Sequence, residues 1–223
     1  MHERIDTTRL TSSGCATKGS MRMNHKIFVD PKTSALLVMD FQAAIVDGPA
    51  VPGGAADRHA LLARTASLIE AARKSGIRVI YVVVGFRPGY PEVSPQNRLF
   101  AGIRESGRFL ESSAGTEVHP ALAPKVGDVV VTKHRVSAFA GTDLEMILRA
   151  NGIDTLVLSG IATSGVVLST IRHAADADYR LVVVADCCSD PDPEVHRVLV
   201  EKIFARAATV ATAEALIFRP TPT

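Results

Sequence analysis

Six short segments of this chain are apolar almost without interruption: residues 35–39, 77–84, 129–132, 155–159, 181–185 and 209–211. A strand with one wet face alternates apolar and polar residues. A continuous apolar run belongs to a strand covered on both faces. Between these runs the period changes. Residues 56–75 carry Leu61, Thr65, Leu68 and Ala72 on one stripe, with Leu62, Ala66 and Ile69 beside it. Residues 142–150 carry Leu144, Ile147 and Leu148, residues 164–178 carry Val167, Ile171, Ala174 and Ala175, and residues 193–206 carry Val195, Val198, Leu199 and Ile203. This is helical spacing. Gly76 and Gly152 sit where helices stop, and Pro193 where one starts, its missing N–H costing little there. The alternation predicts an α/β fold: a three-layer α/β/α sandwich around a mostly parallel, about six-stranded sheet of Rossmann-type topology.

With 223 residues, 47% of them hydrophobic, the chain can fill a sizeable core. Residues 33–217 are expected to form one domain, flanked by a flexible polar tail over 1–32 and a short tail over 218–223. No apolar run reaches the roughly 18 residues of a membrane span, and the first thirty or so residues lack the apolar stretch of a secretory signal. A net charge of +2 without a basic stripe does not suggest nucleic acid. Three cysteines, Cys15, Cys187 and Cys188, make a poor disulfide framework and fit a reducing, cytoplasmic setting. The seven histidines are scattered, no Cys-x-x-Cys is present, and no metal site is expected.

One segment breaks the rhythm. Residues 85–125, rich in proline and glycine, form a connection too long to be idle, and covering a site is the usual use. Ligands of open α/β sheets bind beyond the carboxyl ends of the strands. Asp40 and Gln42 follow the first strand candidate, Lys133 the third, and Gly160-Ile161-Ala162-Thr163-Ser164-Gly165-Val166 the fourth. A carboxylate and an ammonium can therefore meet over a helix start, a combination able to move a proton and stabilise developing negative charge. A dinucleotide site is not expected, because no Gly-x-Gly-x-x-Gly follows the first strand.

The stretches LLVMDFQ, VVVTKHRVSAFAGTDLEMILRANGIDTLVLSGIATSGVV and STIRHAADADYRLVVVADCCSD together resemble the isochorismatase-like hydrolases, also called cysteine hydrolases, over about residues 34–212. The resemblance implies a site of aspartate, lysine and cysteine. Asp40 and Lys133 match the first two, and the pattern Gly-x-x-Thr-x-x-Cys puts Val166 at the nucleophile position. It further implies a cis peptide at Ile161–Ala162, an oxyanion pocket formed by the Ala162 and Val166 N–H groups, no cofactor, and a homo-oligomer, dimer or tetramer. Ordinary members form an acyl-enzyme from amides through the thiol, a route closed to valine. The isochorismatases proper carry glycine there and cleave a vinyl ether, but the Tyr-Ala-His stretch that precedes it in them is missing here. The Asp-x-His of metal-dependent nicotinamidases is replaced by Gly85-Phe86-Arg87.

The chain is thus expected to be a small-molecule hydrolase working without a cysteine, on a C–N amide or vinyl ether bond, or else a binding or scaffolding member that has lost its chemistry. Gln42, Phe86, Arg87 and Phe139 are expected around the substrate. Arg87 is either an anion clamp or an ordinary solvated arginine. Ser164 reads as an N-cap rather than a nucleophile, since no Gly-x-Ser-x-Gly elbow surrounds it. Cys188 reads as packing, and His173 and His196 as helix-surface residues.

Overall fold

In a computed structural model, residues 26–111 and 113–219 are described. The expected tail up to residue 25, with Cys15, and residues 220–223 lie outside them. The central sheet runs β4-β3-β2-β5-β6-β7, every neighbouring pair parallel. Its strands are β2 (Ser34–Met39), β3 (Arg78–Val84), β4 (Val129–Lys133), β5 (Thr155–Ile161), β6 (Arg180–Ser189) and β7 (Thr209–Ala211). β1 (Ile27–Val29) and β8 (Leu216–Phe218) pair with each other as a separate ribbon, so ordered strand begins inside the segment expected to be tail.

Helices are α1 (Ala43–Val46), α2 (Ala55–Lys74), α3 (Arg98–Ser106), α4 (Leu144–Ala150), α5 (Leu168–Asp176) and α6 (Pro193–Val198). Two cores lie on opposite faces of the sheet, because successive strand side chains point opposite ways. Leu37, Met39, Ile80, Val82, Leu158 and Val183 pack with α4 and α5 residues such as Leu148 and Ile171. Leu36, Val38, Tyr81, Val157 and Val182 pack with Leu61, Leu68 and Ala72 of α2. This is the sandwich that continuous apolar strands require. No helix among the described residues is long and apolar enough to cross a membrane.

Two expected helices change character along their length. The segment after β5 begins as a wide π-type turn, Thr163–Val167, before α5 takes over. The segment after Pro193 passes from α6 through a π turn, Leu199–Ile203, into a 3-10 turn, Phe204–Arg206. The long connection holds α3, with Asn97 accepting the Phe100 N–H at its start and Gly107 in the left-handed conformation at its end. Its aromatic residues form a third core of Val84, Phe86, Tyr90, Val93, Phe100 and Phe109.

Strand order decides where a ligand can go. The chain leaves β2 for β3 and β4, then returns to lay β5 against the other side of β2. The crevice at that reversal, beyond the carboxyl ends of β2 and β5, is the ligand position of open α/β sheets.

Candidate active site

Asp40 follows the last residue of β2. Its N–H still donates to Val82 O at 2.8 Å, but its φ of +58° turns the chain out of the sheet. Aspartate tolerates this left-handed conformation better than most residues. Lys133 ends β4 in register with Val84. Across the intervening strand, Lys133 Nζ lies 3.0 Å from Asp40 Oδ2, with the two side chains only 4% and 9% exposed. The ammonium also donates to Arg135 O at 3.1 Å. Asp40 Oδ1 is buried and has no protein partner. Burial pushes the Asp40 carboxyl above its ordinary 3.8, and the Lys133 ammonium pulls against that shift. A proton on this carboxyl is therefore easier to hold than on a solvated one, while a cation stands ready to balance the anion.

The third strand end comes close because Gly160 has no side chain. A Cβ there would lie 3.0 Å from Val167 Cγ2 and 3.1 Å from both Cβ and O of Met39. Met39 and Gly160 are register partners, so the turn after β5 lies beside Asp40. The Ile161–Ala162 peptide is cis. Beyond it Gly165 adopts φ −94° and ψ −105°, outside helical values. Val166 is 2% exposed and packs in the core with Ala138, Phe139 and Ile171.

Ser164 is not an N-cap. The residue before the turn is Ala162, which offers no side-chain bond, and the Ser164 N–H donates to Asp190 Oδ2 at 2.6 Å. His196, expected on the surface, is half-buried with Nδ1 2.8 Å from Thr163 Oγ1. Asp190 and His196 were not legible as site neighbours, since their reach to residues 163–164 depends on how β6 ends. His173 is exposed, as expected, and its ring stacks on Phe139 at 4.7 Å.

The side chains expected around the substrate are mostly engaged elsewhere. Gln42 is fully buried. Its amide donates to Val84 O at 2.8 Å and Thr116 O at 2.6 Å, while its carbonyl accepts the Val84 N–H at 2.8 Å. It staples the end of β3 to the long connection instead of facing a ligand. Phe86 is core, its ring 5.6 Å from Tyr90 and 5.9 Å from both Phe100 and His134. Arg87 is 61% exposed and ion-pairs with Glu92, so its charge is already matched. Phe139 is buried in the core that also holds Val166, its ring stacked on His173.

The cysteines are unsuited to attack. Burial, reinforced by Asp186, pushes the Cys187 thiol up to about 12, and burial raises Cys188 as well. Among the described residues no three His, Cys, Asp or Glu side chains gather as a metal-binding group.

The architecture is that of a parallel α/β sandwich, with a buried carboxylate–ammonium pair at the sheet's switch point, where β2 and β5 end side by side. The isochorismatase domain profile matches residues 34–215, and the chain belongs to the isochorismatase-like hydrolase family. It is 34% identical over 218 residues to the ureidoacrylate amidohydrolase RutB of Methylobacterium radiotolerans, covering 87% of this chain and 83% of that one. The uncharacterized isochorismatase family protein YecD of Escherichia coli O157:H7 is likewise 34% identical, over 85% of this chain and 97% of its own length. Among solved structures, N-carbamoylsarcosine amidase from Thermoplasma acidophilum superposes with a TM-score of 0.66 at 33% identity, covering 82% of this chain and 97% of that one. A cysteine hydrolase from Pseudomonas syringae shares the fold, with a TM-score of 0.74 at 24% identity over 83% of this chain and 91% of that one.

Proposed function

We propose that this chain hydrolyses a small molecule at a C–N bond of the amide or ureido kind, with water in place of a cysteine as nucleophile. The relatives named ureidoacrylate amidohydrolase and N-carbamoylsarcosine amidase support the bond type. The observation that carries the reading is Asp40: a buried carboxyl with one oxygen on Lys133 and the other without a protein partner. An unpartnered oxygen in a dry site is costly unless something binds it, and a water or a leaving group is the natural occupant. Asp40 is then the general base that takes a proton from the attacking water, and the acid that returns it to the leaving nitrogen. Lys133 balances the carboxylate. The Ala162 and Val166 N–H groups hold the developing oxyanion, and Val166 narrows the pocket where the family's thiol would sit.

The test is a hydrolysis screen of N-carbamoylsarcosine, N-carbamoylglycine, simple amides and vinyl ethers, repeated with Asp40→Asn. Loss of the general base lowers kcat by about 100-fold or more. Unchanged turnover in Asp40→Asn overturns the mechanism.

A second reading, a binding member without turnover, is favoured by one observation: Val166 presents a buried isopropyl group and no nucleophile. Val166→Cys separates the two. Amidase activity appearing only in that variant means the wild-type chain binds without cleaving.

A further inference from the structure

The turn after β5 is closed by its own backbone, Gly165 N–H and Val167 N–H both donating to Ala162 O at 3.1 and 3.3 Å, but none of its own side chains caps it. Gly165 leaves helical geometry, and Ala162, at the cap position, has no side chain to bond. Two groups from the next strand and helix grip it from outside.

The first arrives through an irregularity in β6. While β5 advances from Leu158 to Gly160, β6 advances from Val183 to Cys188, and Ser189 ends beside Ile161. The extra length carries Asp190 to the turn, where its buried carboxylate accepts the Ser164 N–H at 2.6 Å through Oδ2. Its other oxygen accepts the Asp192 N–H at 3.3 Å. Asp192 in turn caps α6 by accepting the Glu194 and Val195 N–H groups. The second grip comes from α6 itself, whose His196 Nδ1 meets Thr163 Oγ1 at 2.8 Å. Thr163 is buried, so this hydroxyl is not a nucleophile. Both Asp190 oxygens are given to backbone N–H groups, so the three residues are not a hydrolytic triad.

We propose that Asp190 and His196 are positioning residues that fix the peptide turn from behind, setting the direction of the amides at Ala162 and Val166; this rests on the proposed function, in which those amides meet the oxyanion. The two grips fall on adjacent residues, Thr163 and Ser164, between the two amides that matter. A charged acceptor on Ser164 N–H is stronger than a neutral one, which suits a turn that must not yield as charge develops. Misdirected donors weaken the transition state more than the bound substrate, so the effect falls on kcat.

The experiment uses the full ¹⁵N-labelled chain and four variants: Asp190→Ala, Asp190→Asn, His196→Ala and His196→Asn. Asparagine at 196 places an amide close to where Nδ1 stands. Amide hydrogen exchange at residues 162–166 accelerates about tenfold or more in each alanine variant, while β2 and β3 exchange as before. Both asparagine variants recover most of the protection. With N-carbamoylsarcosine as probe, the alanine variants lose about 100-fold in kcat with KM changed by no more than about twofold, and His196→Asn recovers it. Exchange and kcat both unchanged in the alanine variants overturn the proposal, as does acceleration spread evenly over the sheet. A wild-type chain inert toward the probe counts against the proposed function, while the exchange pattern still decides the positioning.

Discussion

Lys133 Nζ stands 3.0 Å from Asp40 Oδ2 with both side chains less than a tenth exposed, and Asp40 Oδ1 is left without a protein partner. A pair so buried is weak as a source of stability but severe when broken. Lys133→Met leaves a carboxylate with no cation and is expected to lower unfolding free energy by about 3–5 kcal/mol. The double variant Asp40→Asn with Lys133→Met, which removes both charges and keeps a residue suited to the left-handed backbone at 40, is expected to recover most of that loss, with no activity. Urea unfolding of the three proteins measures both. A double variant as unstable as the single one means that packing, not charge, holds these strand ends.

Gly160 is fixed by its neighbours rather than by its backbone angles. A Cβ would meet Met39 O and Cβ at 3.1 Å and Val167 Cγ2 at 3.0 Å, and the Met39 backbone cannot swing aside. Gly160→Ala is expected to destabilise by about 1–3 kcal/mol and to push the turn away from Asp40. Thermal unfolding, together with the amide shifts of residues 161–167, checks both effects. A neutral substitution means that the ends of β2 and β5 are not held together by this close approach.

How much of this was legible in the sequence follows from what each feature depends on. β2, β3, β5 and β6 were legible because strands buried on both faces are apolar nearly throughout, while the edge strands β4 and β7, partly exposed, were legible only as short apolar runs. β1 and β8 were not. Apart from the buried Val29 their residues are only partly buried, and neither run has length enough to show a period. α3 hid in the Pro- and Gly-rich connection although its caps, Asn97 and Gly107, are in the sequence. That Asp40 and Lys133 would come together was legible because both stand at strand ends of one sheet. The partners of Gln42 and Arg87 were not legible because local pattern does not show them: backbone atoms of Val84 and Thr116 for one, Glu92 for the other. Asp190 was missed because only the irregular end of β6 brings it to Ser164.

Cys187 ties stability to alkaline pH. Its thiol has an ordinary value of 9.0 and is pushed up to about 12 in the fold, so the folded chain keeps a proton that the unfolded chain gives up. The stability this supplies is complete below pH 9 and is lost as pH rises through 12, at about 1.4 kcal/mol per unit. Cys187→Ala is expected to lose less stability than wild type between pH 9 and 10.5, read from Tm against pH. In a Cys15→Ser background, DTNB at pH 8 is expected to label neither Cys187 nor Cys188 until the chain is unfolded. Prompt labelling of the folded protein overturns the assignment of both as packing residues.

His196 acts with the opposite sign. Burial holds its imidazole below the ordinary 6.5, while Asp190 pulls the other way. The unfolded chain therefore takes up the proton first, and the stability involved is present above pH 6.5 and lost as pH falls through the lower folded value. His196→Asn cannot titrate and keeps a polar group near Thr163. It is expected to flatten the acid side of the Tm profile while matching wild type at pH 8. Equal acid slopes for the two proteins mean that carboxylates alone set that limb.

Gln42 distinguishes a staple from a pocket wall. Three backbone groups, Val84 N–H, Val84 O and Thr116 O, take their bonds from one buried amide. Gln42→Ala leaves them unsatisfied, at about 1–3 kcal/mol for each group that finds no other partner. Gln42→Glu keeps the acceptor for Val84 N–H but turns a carboxylate oxygen toward two carbonyls, so it is expected to be at least as damaging. Both variants are expected to unfold at lower urea and to loosen residues 113–118, while substrate preference stays that of wild type. A Gln42→Ala enzyme of normal stability with a changed substrate profile assigns this side chain to the pocket after all.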